Sequence, residues 1–259
     1  LLTQGMHGMI SQVEGLAKAL DIDFTHHTVE LNNFWKNIPP KFTPISQNVY
    51  KKIDQINFDL IISCGRKSVI PSIHLKNCLK RKVINIHIQD PKVNFSNFDL
   101  IVAPEHDSID GQNVITTKGA IHYLTESEII KNKDYLNSFI KKDDRKICAL
   151  IMGGPTKYYD YSSSNMKNIF SPLREFVNKN DLQLVIIPSM RTPKASIDYA
   201  SEWFGKNHTI IYDVDKKAYL SALSISKNIV VTCDSSSMIS EAALTGKPIY
   251  IANIIPGKN

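Results

Sequence analysis

The sequence predicts an α/β protein in which helices cover parallel β-sheets. Helical stretches alternate with short apolar runs, which lie at residues 59–64, 82–88, 99–103, 147–152, 182–188, 229–232 and 248–252. Runs of this length are typical of strands that are buried on both faces, and parallel sheets between helix layers bury their strands in this way. With 259 residues, of which 42% are hydrophobic, the chain can form two medium-sized cores.

A change of pattern near residue 140 divides the chain. Between residues 118 and 144 the sequence becomes polar and rich in lysine, with a helical stretch at 126–142. We therefore predict an N-terminal Rossmann-like domain over residues 1–140 and a C-terminal Rossmann-like domain over residues 141–259. Ligands of such sheets bind outside the carboxyl ends of the strands, so the loops that follow strands are the candidate sites.

The charge of the chain narrows its possible ligands. Lys and Arg number 31 against 25 Asp and Glu, a net charge of +6, and most of the excess lies after residue 140. No dense basic tract with interleaved aromatic residues occurs, so the charge favours a small anionic ligand or a membrane surface over nucleic acid. No apolar run approaches the roughly 20 residues that span a bilayer. The first residues resemble a strand already under way, so we expect the N-terminus to continue further.

The cysteines predict a reducing compartment. Cys64, Cys78, Cys148 and Cys233 are far apart in sequence, and none has the neighbour spacing of a zinc site. All but Cys78 lie in or at the end of apolar runs, which favours reduced thiols that pack as small hydrophobic side chains. We therefore expect a cytoplasmic protein without a bound metal.

The first candidate loop joins a strand to a helix near the start of the chain. Gly5 and Gly8 allow the backbone to approach a ligand at the helix N-terminus, although the same residues suit a plain tight turn. His7 is the one titratable side chain of this turn. It is a candidate general base toward an acceptor hydroxyl, and the alternative is an ordinary solvent-exposed histidine.

Two further loops follow strands of the C-terminal half. Gly153 and Gly154 can turn backbone amides toward phosphate oxygens, or can simply reverse the chain. In the next loop, Arg191 lies between the hydroxyls of Ser189 and Thr192. A guanidinium so placed suits a phosphate, whereas the alternative is a surface arginine that bridges to a neighbouring carboxylate.

The fourth loop has the most specific pattern. A strand ends in Ser235, Ser236 and Ser237, which can cap a short helix, and Gly246 ends that helix. A structural role in the turn, the helix or the helix ends explains most of these residues, but it does not explain Glu241. A carboxylate at this place can accept both hydroxyls of a ribose, and the alternative is a solvated glutamate on the helix surface.

Taken in order, the motifs resemble one known family. The chain contains GxxGxxxQ (residues 5–12), SCGRKS (63–68), PEHD (104–107), the Gly pair, RTP (191–193) and DSSSMISEA (234–242). This succession resembles the elongated-mitochondria, or mitochondrial fission, family, over nearly the whole chain. The resemblance implies a GT-B type fold, in which two Rossmann-like domains face each other across a cleft, as in the lipid-linked N-acetylglucosaminyltransferase of cell-wall synthesis.

The resemblance also implies roles for individual residues. It assigns Glu241 to the ribose of a nucleotide-sugar donor and the three serines to its diphosphate, beside Gly153, Gly154 and Arg191. Gly5, His7, Gly8 and Gln12 would face an acceptor from the N-terminal domain, where Arg66 and Lys67 could neutralise its negative charge. Three positions depart from the family pattern: Gln4, Met190 and the triplet 217–219. They weaken the expected charge compensation of the phosphates and any acidic catalyst in the first loop. GT-B proteins normally add helices after the last strand, so the resemblance also implies that the C-terminus continues further.

The resulting hypothesis is a metal-independent glycosyltransferase that needs no cofactor beyond its nucleotide-sugar substrate. The acceptor is unknown and is expected to be lipid-linked or part of the cell envelope. Neither Glu105-His106-Asp107 nor Asp213-Val214-Asp215 is expected to bind a metal in this fold. Two alternatives stay open: a nucleotide-sugar epimerase or hydrolase, and a catalytically silent scaffold. The basic surface and the link of eukaryotic members to mitochondrial division also favour peripheral contact with the inner face of a membrane.

Overall fold

The computed structural model describes residues 1–53, 57–79 and 82–256, and they form two compact units. The first unit comprises Leu1–Tyr123 and the second begins at Leu124. Each unit contains one sheet whose neighbouring strands all run parallel, six strands in the first and five in the second. The predicted α/β class with two parallel sheets is confirmed.

The first unit alternates strands and helices from its first residues. Its elements are β1 (Leu2–Thr3), α1 (His7–Ala19), β2 (His27–Thr28), β3 (Leu60–Cys64), α2 (Val69–Cys78), β4 (Ile84–Ile88), β5 (Leu100–Pro104) and β6 (Val114–Thr117). The strand order is β2-β1-β3-β4-β5-β6. Short 3-10 helices connect several elements, among them Asn33–Asn37 and Pro40–Phe42 between β2 and β3.

The second unit has the same alternation with longer strands. Its elements are α3 (Glu126–Lys131), β7 (Lys146–Met152), α4 (Ser163–Lys179), β8 (Leu182–Pro188), α5 (Lys194–Phe204), β9 (Thr209–Ile210), α6 (Lys216–Ile225), β10 (Asn228–Thr232), α7 (Ser236–Ala243) and β11 (Ile249–Ala252). The strand order is β11-β10-β7-β8-β9. No helix in the described parts of either unit combines the length and the apolar character needed to cross a membrane.

The apolar runs form the centre of each sheet because helices cover both faces. In β7, Ala149 and Ile151 join the core on one face, while Cys148, Leu150 and Met152 join the core on the other. A strand alternates its side chains between two faces, so a continuous apolar run is what a doubly covered strand requires. Burial also raises the pKa of the Cys148 thiol to about 12, which agrees with the predicted role of this cysteine as a packed, protonated side chain.

Residues 124–140, assigned to the first domain by sequence, contact the second unit. Leu124, Ile129 and Leu136 belong to the core that contains β7 and α6. The Leu136 amide also donates to Ser221 Oγ, 3.1 Å away on α6. The polar, lysine-rich composition of this segment comes from the residues on its outer face. The few buried side chains decide that the segment folds with the second unit.

Each strand order contains one point at which the chain turns from one side of the sheet to the other. In the first unit this point lies between β1 and β3, and in the second between β7 and β10. The connections leave the sheet on opposite faces there, and this opens a crevice at the carboxyl ends of the two strands. Most of the residues predicted from the sequence to form the site lie in the loops after these four strands or in the helices that follow those loops.

A fully buried histidine in β4 predicts acid sensitivity of the first unit. His87 is 1% exposed, its Nδ1 lies 2.8 Å from Ser63 Oγ, and burial lowers its pKa from 6.5 to about 3. The unfolded chain therefore takes up a proton at a higher pH than the native chain. The stabilisation from neutral His87 is complete above pH 6.5 and is lost as the pH falls toward 3, by about 2 kcal/mol at pH 5.

Urea unfolding at pH 7.5 and pH 5 measures this effect. We expect His87→Gln to lose less stability between the two pH values than the unsubstituted protein, whatever its stability at pH 7.5. The matched control is His106→Gln, because the His106 side chain is largely exposed. An equal pH dependence in the His87 variant and the unsubstituted protein would contradict the prediction.

Candidate functional site

The candidate site of the second unit is organised around one buried carboxylate. Asp234 lies in the tight turn that follows β10, and its side chain is fully buried. It accepts hydrogen bonds from the Gly154 amide at 3.0 Å, the Tyr161 hydroxyl at 2.6 Å and the Arg191 guanidinium at 2.8 Å. The carboxylate thus joins the loops that follow β7, β8 and β10.

The glycine pair after β7 permits this close packing. A Cβ atom on Gly153 would lie 2.1 Å from an Asp234 carboxylate oxygen, and one on Gly154 would lie 2.0 Å from the Arg191 carbonyl oxygen. Both amides have partners within the loops, since Gly153 donates to Thr232 Oγ1 at 2.8 Å and Gly154 donates to Asp234. In this structure the pair therefore serves the contact between loops, and neither amide is directed at open space as a phosphate nest would require.

Arg191 is held in a fixed orientation with part of its surface open. One terminal nitrogen donates to Asp234 and the other donates to the Gly154 carbonyl oxygen at 2.9 Å, yet the side chain is 31% exposed. The guanidinium has five donor hydrogens, so these two bonds leave capacity for an anion. This geometry combines the two interpretations of Arg191, a bridge to a carboxylate and a phosphate ligand.

The hydroxyls beside Arg191 hold its loop against β7. Thr192 Oγ1 accepts from the Ser189 amide at 2.8 Å and lies 2.9 Å from the Met152 carbonyl oxygen. Ser189 Oγ accepts from the Arg191 amide at 3.3 Å. Ser189 and Thr192, both predicted to bind substrate, thus position the arginine that lies between them.

Tyr161 completes the surroundings of Asp234. Burial and the adjacent carboxylate raise the pKa of the Tyr161 hydroxyl far above its usual value, so the hydroxyl stays a donor. Its oxygen also lies 3.0 Å from Thr232 Oγ1, the group that accepts from Gly153. The loops after β7 and β10 are therefore linked through two side chains that are both fully protonated at neutral pH.

Helix α7 begins beside this network and contains Glu241, the residue that is predicted to bind the ribose. Ser235 is its N-cap and accepts from the Met238 amide at 3.5 Å, while Ser236 and Ser237 form the first turn. Glu241 is only 8% exposed, and its carboxylate accepts from the Tyr219 hydroxyl at 2.7 Å. The solvated-surface interpretation of Glu241 therefore does not fit, and Tyr219 fixes the direction of the carboxylate.

The corresponding loops of the first unit follow β1 and β3. Gly5 and Gly65 have φ values of +85° and +89°, which favour glycine at both turns. Gly8 lies in the first turn of α1. His7 begins that helix with an exposed side chain, and its Nε2 lies 3.3 Å from the Tyr123 hydroxyl. A base in this place is accessible to a hydroxyl group of a ligand.

Three other predicted residues of the first unit differ in accessibility. Gln12 is 3% exposed and donates to the Gly8 carbonyl oxygen at 3.2 Å, so it supports the first turn of α1 from inside. Arg66 is exposed and donates to the Lys36 carbonyl oxygen at 2.5 Å, which ties it to the segment between β2 and β3. Lys67 is partly buried beside it.

In each of the motifs 105–107 and 213–215, an aspartate accepts a hydrogen bond from another part of the chain. Asp107 accepts from the Asp90 amide at 3.1 Å, and Asp215 is the N-cap of α6 and accepts from the Tyr135 hydroxyl at 2.5 Å. Across residues 1–53, 57–79 and 82–256 there is no group of three or more His, Cys, Asp or Glu side chains that could hold a metal ion.

Comparison with protein families identifies the chain. The family model described as mitochondrial fission ELM1 matches residues 7–259. The chain belongs to the ELM1 family. The family resemblance drawn from the sequence motifs is thereby confirmed.

Two curated proteins are similar to this chain. An uncharacterised protein of Rickettsia prowazekii is 26% identical, in an alignment that covers 94% of this chain and 80% of the relative. The mitochondrial fission protein ELM1 of Arabidopsis thaliana is 22% identical across 74% of this chain. The alignment covers 51% of the plant protein, so the chain matches about half of that relative's length.

Two solved structures are similar to this chain. The UDP-GlcNAc 2-epimerase of Methanocaldococcus jannaschii matches with a TM-score of 0.55 and 15% identity, over 100% of this chain and 88% of the epimerase. The UDP-GlcNAc 2-epimerase of Neisseria meningitidis, bound to UDP-GlcNAc, has a TM-score of 0.49 and 17% identity, over 74% of this chain and 59% of its own. The first of these likenesses confirms the Rossmann-like fold class.

Four residues of the candidate site were not among those predicted from the sequence. Thr232 ends β10 and Asp234 lies in the turn after it. Ligands of parallel sheets bind at this end of the strands, so the position of both residues was a usable signal. Tyr161 and Tyr219 lie in a long loop and a helix, and their contacts with Asp234 and Glu241 span 73 and 22 residues of sequence. No local pattern indicates such pairs.

Proposed function

We propose that the second unit binds a nucleotide-sugar at the carboxyl ends of β7, β8 and β10. The observation that carries the proposal is the partly exposed Arg191, oriented by the buried Asp234 next to the first turn of α7. A fixed guanidinium and the free amides of a helix N-terminus are well suited to a diphosphate. Glu241, fixed by Tyr219, would accept ribose hydroxyls through the same helix.

The reaction that best fits this site is transfer of the sugar to an acceptor hydroxyl. The acceptor oxygen would attack the anomeric carbon as the bond from that carbon to the diphosphate breaks, and the diphosphate would leave with the electron pair. Arg191 and the α7 N-terminus would stabilise the charge that develops on the leaving group, which needs no metal ion. His7 is the proposed base that receives the hydroxyl proton. We propose that the acceptor is lipid-linked or part of the cell envelope.

Epimerisation of a nucleotide-sugar is the second candidate function. It is favoured by the likeness to the Methanocaldococcus jannaschii UDP-GlcNAc 2-epimerase, which extends over the whole chain. Incubation with the nucleotide-sugar alone separates the two candidates. An epimerase changes its substrate without an acceptor, whereas a transferase leaves it unchanged until an acceptor is added.

Thermal unfolding with UDP-, GDP-, ADP- and CMP-sugars at 1 mM tests the binding proposal. A sugar nucleotide with a dissociation constant of about 10 μM would stabilise the native state by about 2.7 kcal/mol, a rise of several degrees in Tm. We expect one nucleotide class to give this rise and Glu241→Gln to abolish it.

Glu202→Gln is the matched control, because Glu202 is an exposed glutamate on α5. We expect it to retain the full shift. A folded protein whose Tm rises with none of the four nucleotide classes would refute the donor site and leave the scaffold alternative.

A further inference from the structure

The segment between β2 and β3 of the first unit has large apolar side chains that face solvent. This segment, residues 31–53, contains Phe34, which is 72% exposed, Phe42, which is 67% exposed, and Ile45, which is 44% exposed. Phe34 and Phe42 belong to two successive 3-10 helices, Asn33–Asn37 and Pro40–Phe42. Large apolar side chains that are exposed together mark candidate interaction sites.

Other residues of the segment are packed in the core of the unit, so the core has no need of the exposed rings. Leu31, Val49 and Tyr50 are buried in the core of the unit, and Trp35 packs partly against that core. Arg66 donates to the Lys36 carbonyl oxygen from outside the segment. The apolar residues that fit the core are thus already buried, and Phe34 and Phe42 remain outside.

The same segment is entirely basic in its charged residues. Residues 31–53 include four lysines and no aspartate or glutamate. Lys51 pairs with Glu30 outside the segment. Lys36 and Lys41 make no ion pair with the described part of the chain, and the Lys41 ammonium lies 4.8 Å from the centre of the Phe42 ring.

We propose that residues 31–53 dock the protein on the surface of an anionic lipid bilayer. Aromatic and aliphatic side chains would enter the boundary between headgroups and acyl chains, and the lysines would contact anionic headgroups. Lysine is depleted in protein–protein interfaces, so its frequency in this segment favours lipid over a protein partner. The proposal is independent of nucleotide-sugar binding.

Residues 31–53 also begin at the end of the sheet where the first-unit loops lie, which is the end formed by the carboxyl ends of the strands. The segment follows the carboxyl end of β2, and it is tied to Arg66, which follows the carboxyl end of β3. The bilayer would therefore approach the end at which Gly5, His7 and Gly8 are found. A substrate held in the membrane could then reach these loops without leaving the lipid phase.

Flotation with lipid vesicles tests the proposal. We expect the protein to bind vesicles of 70% phosphatidylcholine and 30% phosphatidylglycerol, and to bind pure phosphatidylcholine at least tenfold more weakly. The double variant Phe34→Ser/Phe42→Ser should lose at least tenfold in binding to the anionic vesicles. Lys36→Glu/Lys41→Glu should lose as much at low salt and less at high salt, because salt screens its electrostatic part.

Matched controls come from the second unit. Ile130 is 61% exposed on α3, and Lys142 is an exposed lysine. Ile130→Ser and Lys142→Glu remove the same kinds of side chain elsewhere, and both should bind as the unsubstituted protein does. Equal thermal unfolding of all variants shows that none of the losses comes from misfolding.

Trp35 provides a direct readout of contact. The chain has two tryptophans, so Trp203→Phe leaves Trp35 as the one fluorophore of this kind. On docking, its emission should shift to shorter wavelength and be quenched by lipids with brominated acyl chains. Lack of binding to anionic vesicles, unchanged binding of the Phe34/Phe42 variant, or a dimer that the same variant abolishes would each overturn the proposal.

Discussion

Asp234→Ala will destabilise the second unit by about 3 kcal/mol, and it will abolish any stabilisation by a nucleotide-sugar. The substitution removes the acceptor of three hydrogen bonds and leaves Arg191, Tyr161 and the Gly154 amide without their partner. Breaking a buried ion pair from one side costs about 3–5 kcal/mol, and the lower value applies because Arg191 is 31% exposed. Urea unfolding followed by Trp203 fluorescence in a Trp35→Phe background measures the change.

Asp213→Ala is the control for this experiment. Asp213 is an exposed carboxylate in the same unit, and its removal should alter stability by no more than about 0.5 kcal/mol. Arg191→Met provides an independent check, since it leaves the Asp234 charge buried without its cation. A loss below about 1 kcal/mol in both Asp234→Ala and Arg191→Met would mean that the network does not hold the three loops together.

Gly154→Ala will cost about 3 kcal/mol through a different mechanism. The new Cβ atom would lie 2.0 Å from the Arg191 carbonyl oxygen and 2.3 Å from its carbonyl carbon. These are backbone atoms that a rotamer change cannot move, so the loops after β7 and β8 would have to separate, an effect at the upper end of overpacking costs. Urea unfolding gives the loss of stability, and the nucleotide-sugar screen gives the accompanying loss of binding.

Gly246→Ala separates this steric effect from the general cost of replacing glycine. A Cβ atom on Gly246 would meet nothing within 4 Å, but the residue has a φ of +64°. Backbone strain alone should therefore cost about 1–2 kcal/mol. If Gly154→Ala proves no more destabilising than Gly246→Ala, the close approach of the two loops is not a constraint on position 154.

The central strands were predictable and most of the edge strands were not. The runs behind β3, β4, β5, β7, β8 and β10 are apolar because both of their faces are covered. By contrast, β2, β6 and β9 lie at sheet edges, and two of them have only two residues. Their sequences contain no apolar run of four or more residues, because the margins of a sheet are less completely covered and a strand there need not be buried on both faces.

The candidate site was also predictable only in part. The positions of Gly153, Arg191 and Glu241 followed from the rule that ligands bind at the carboxyl ends of parallel strands, which needs only the order of strands and loops. Their contacts did not follow, since Arg191 meets Asp234 across 43 residues and Gly153 meets Thr232 across 79. The glycine pair was predicted either to turn its amides toward phosphate or to reverse the chain, and the structure pairs both amides with side chains of β10 and its loop.

By itself, the sequence determined the α/β class, the family and the loops of the candidate site, because burial periodicity and strand-end motifs are local properties of a chain. Tertiary structure alone decided that residues 124–140 fold with the second unit, that Gln12 is buried and that Asp234 is the centre of the site. These depend on which side chains meet across long sequence separations. The exposure of the Phe34 and Phe42 rings was also decided by the tertiary structure. The sequence of a loop does not show whether the fold buries a hydrophobic side chain or leaves it in solvent.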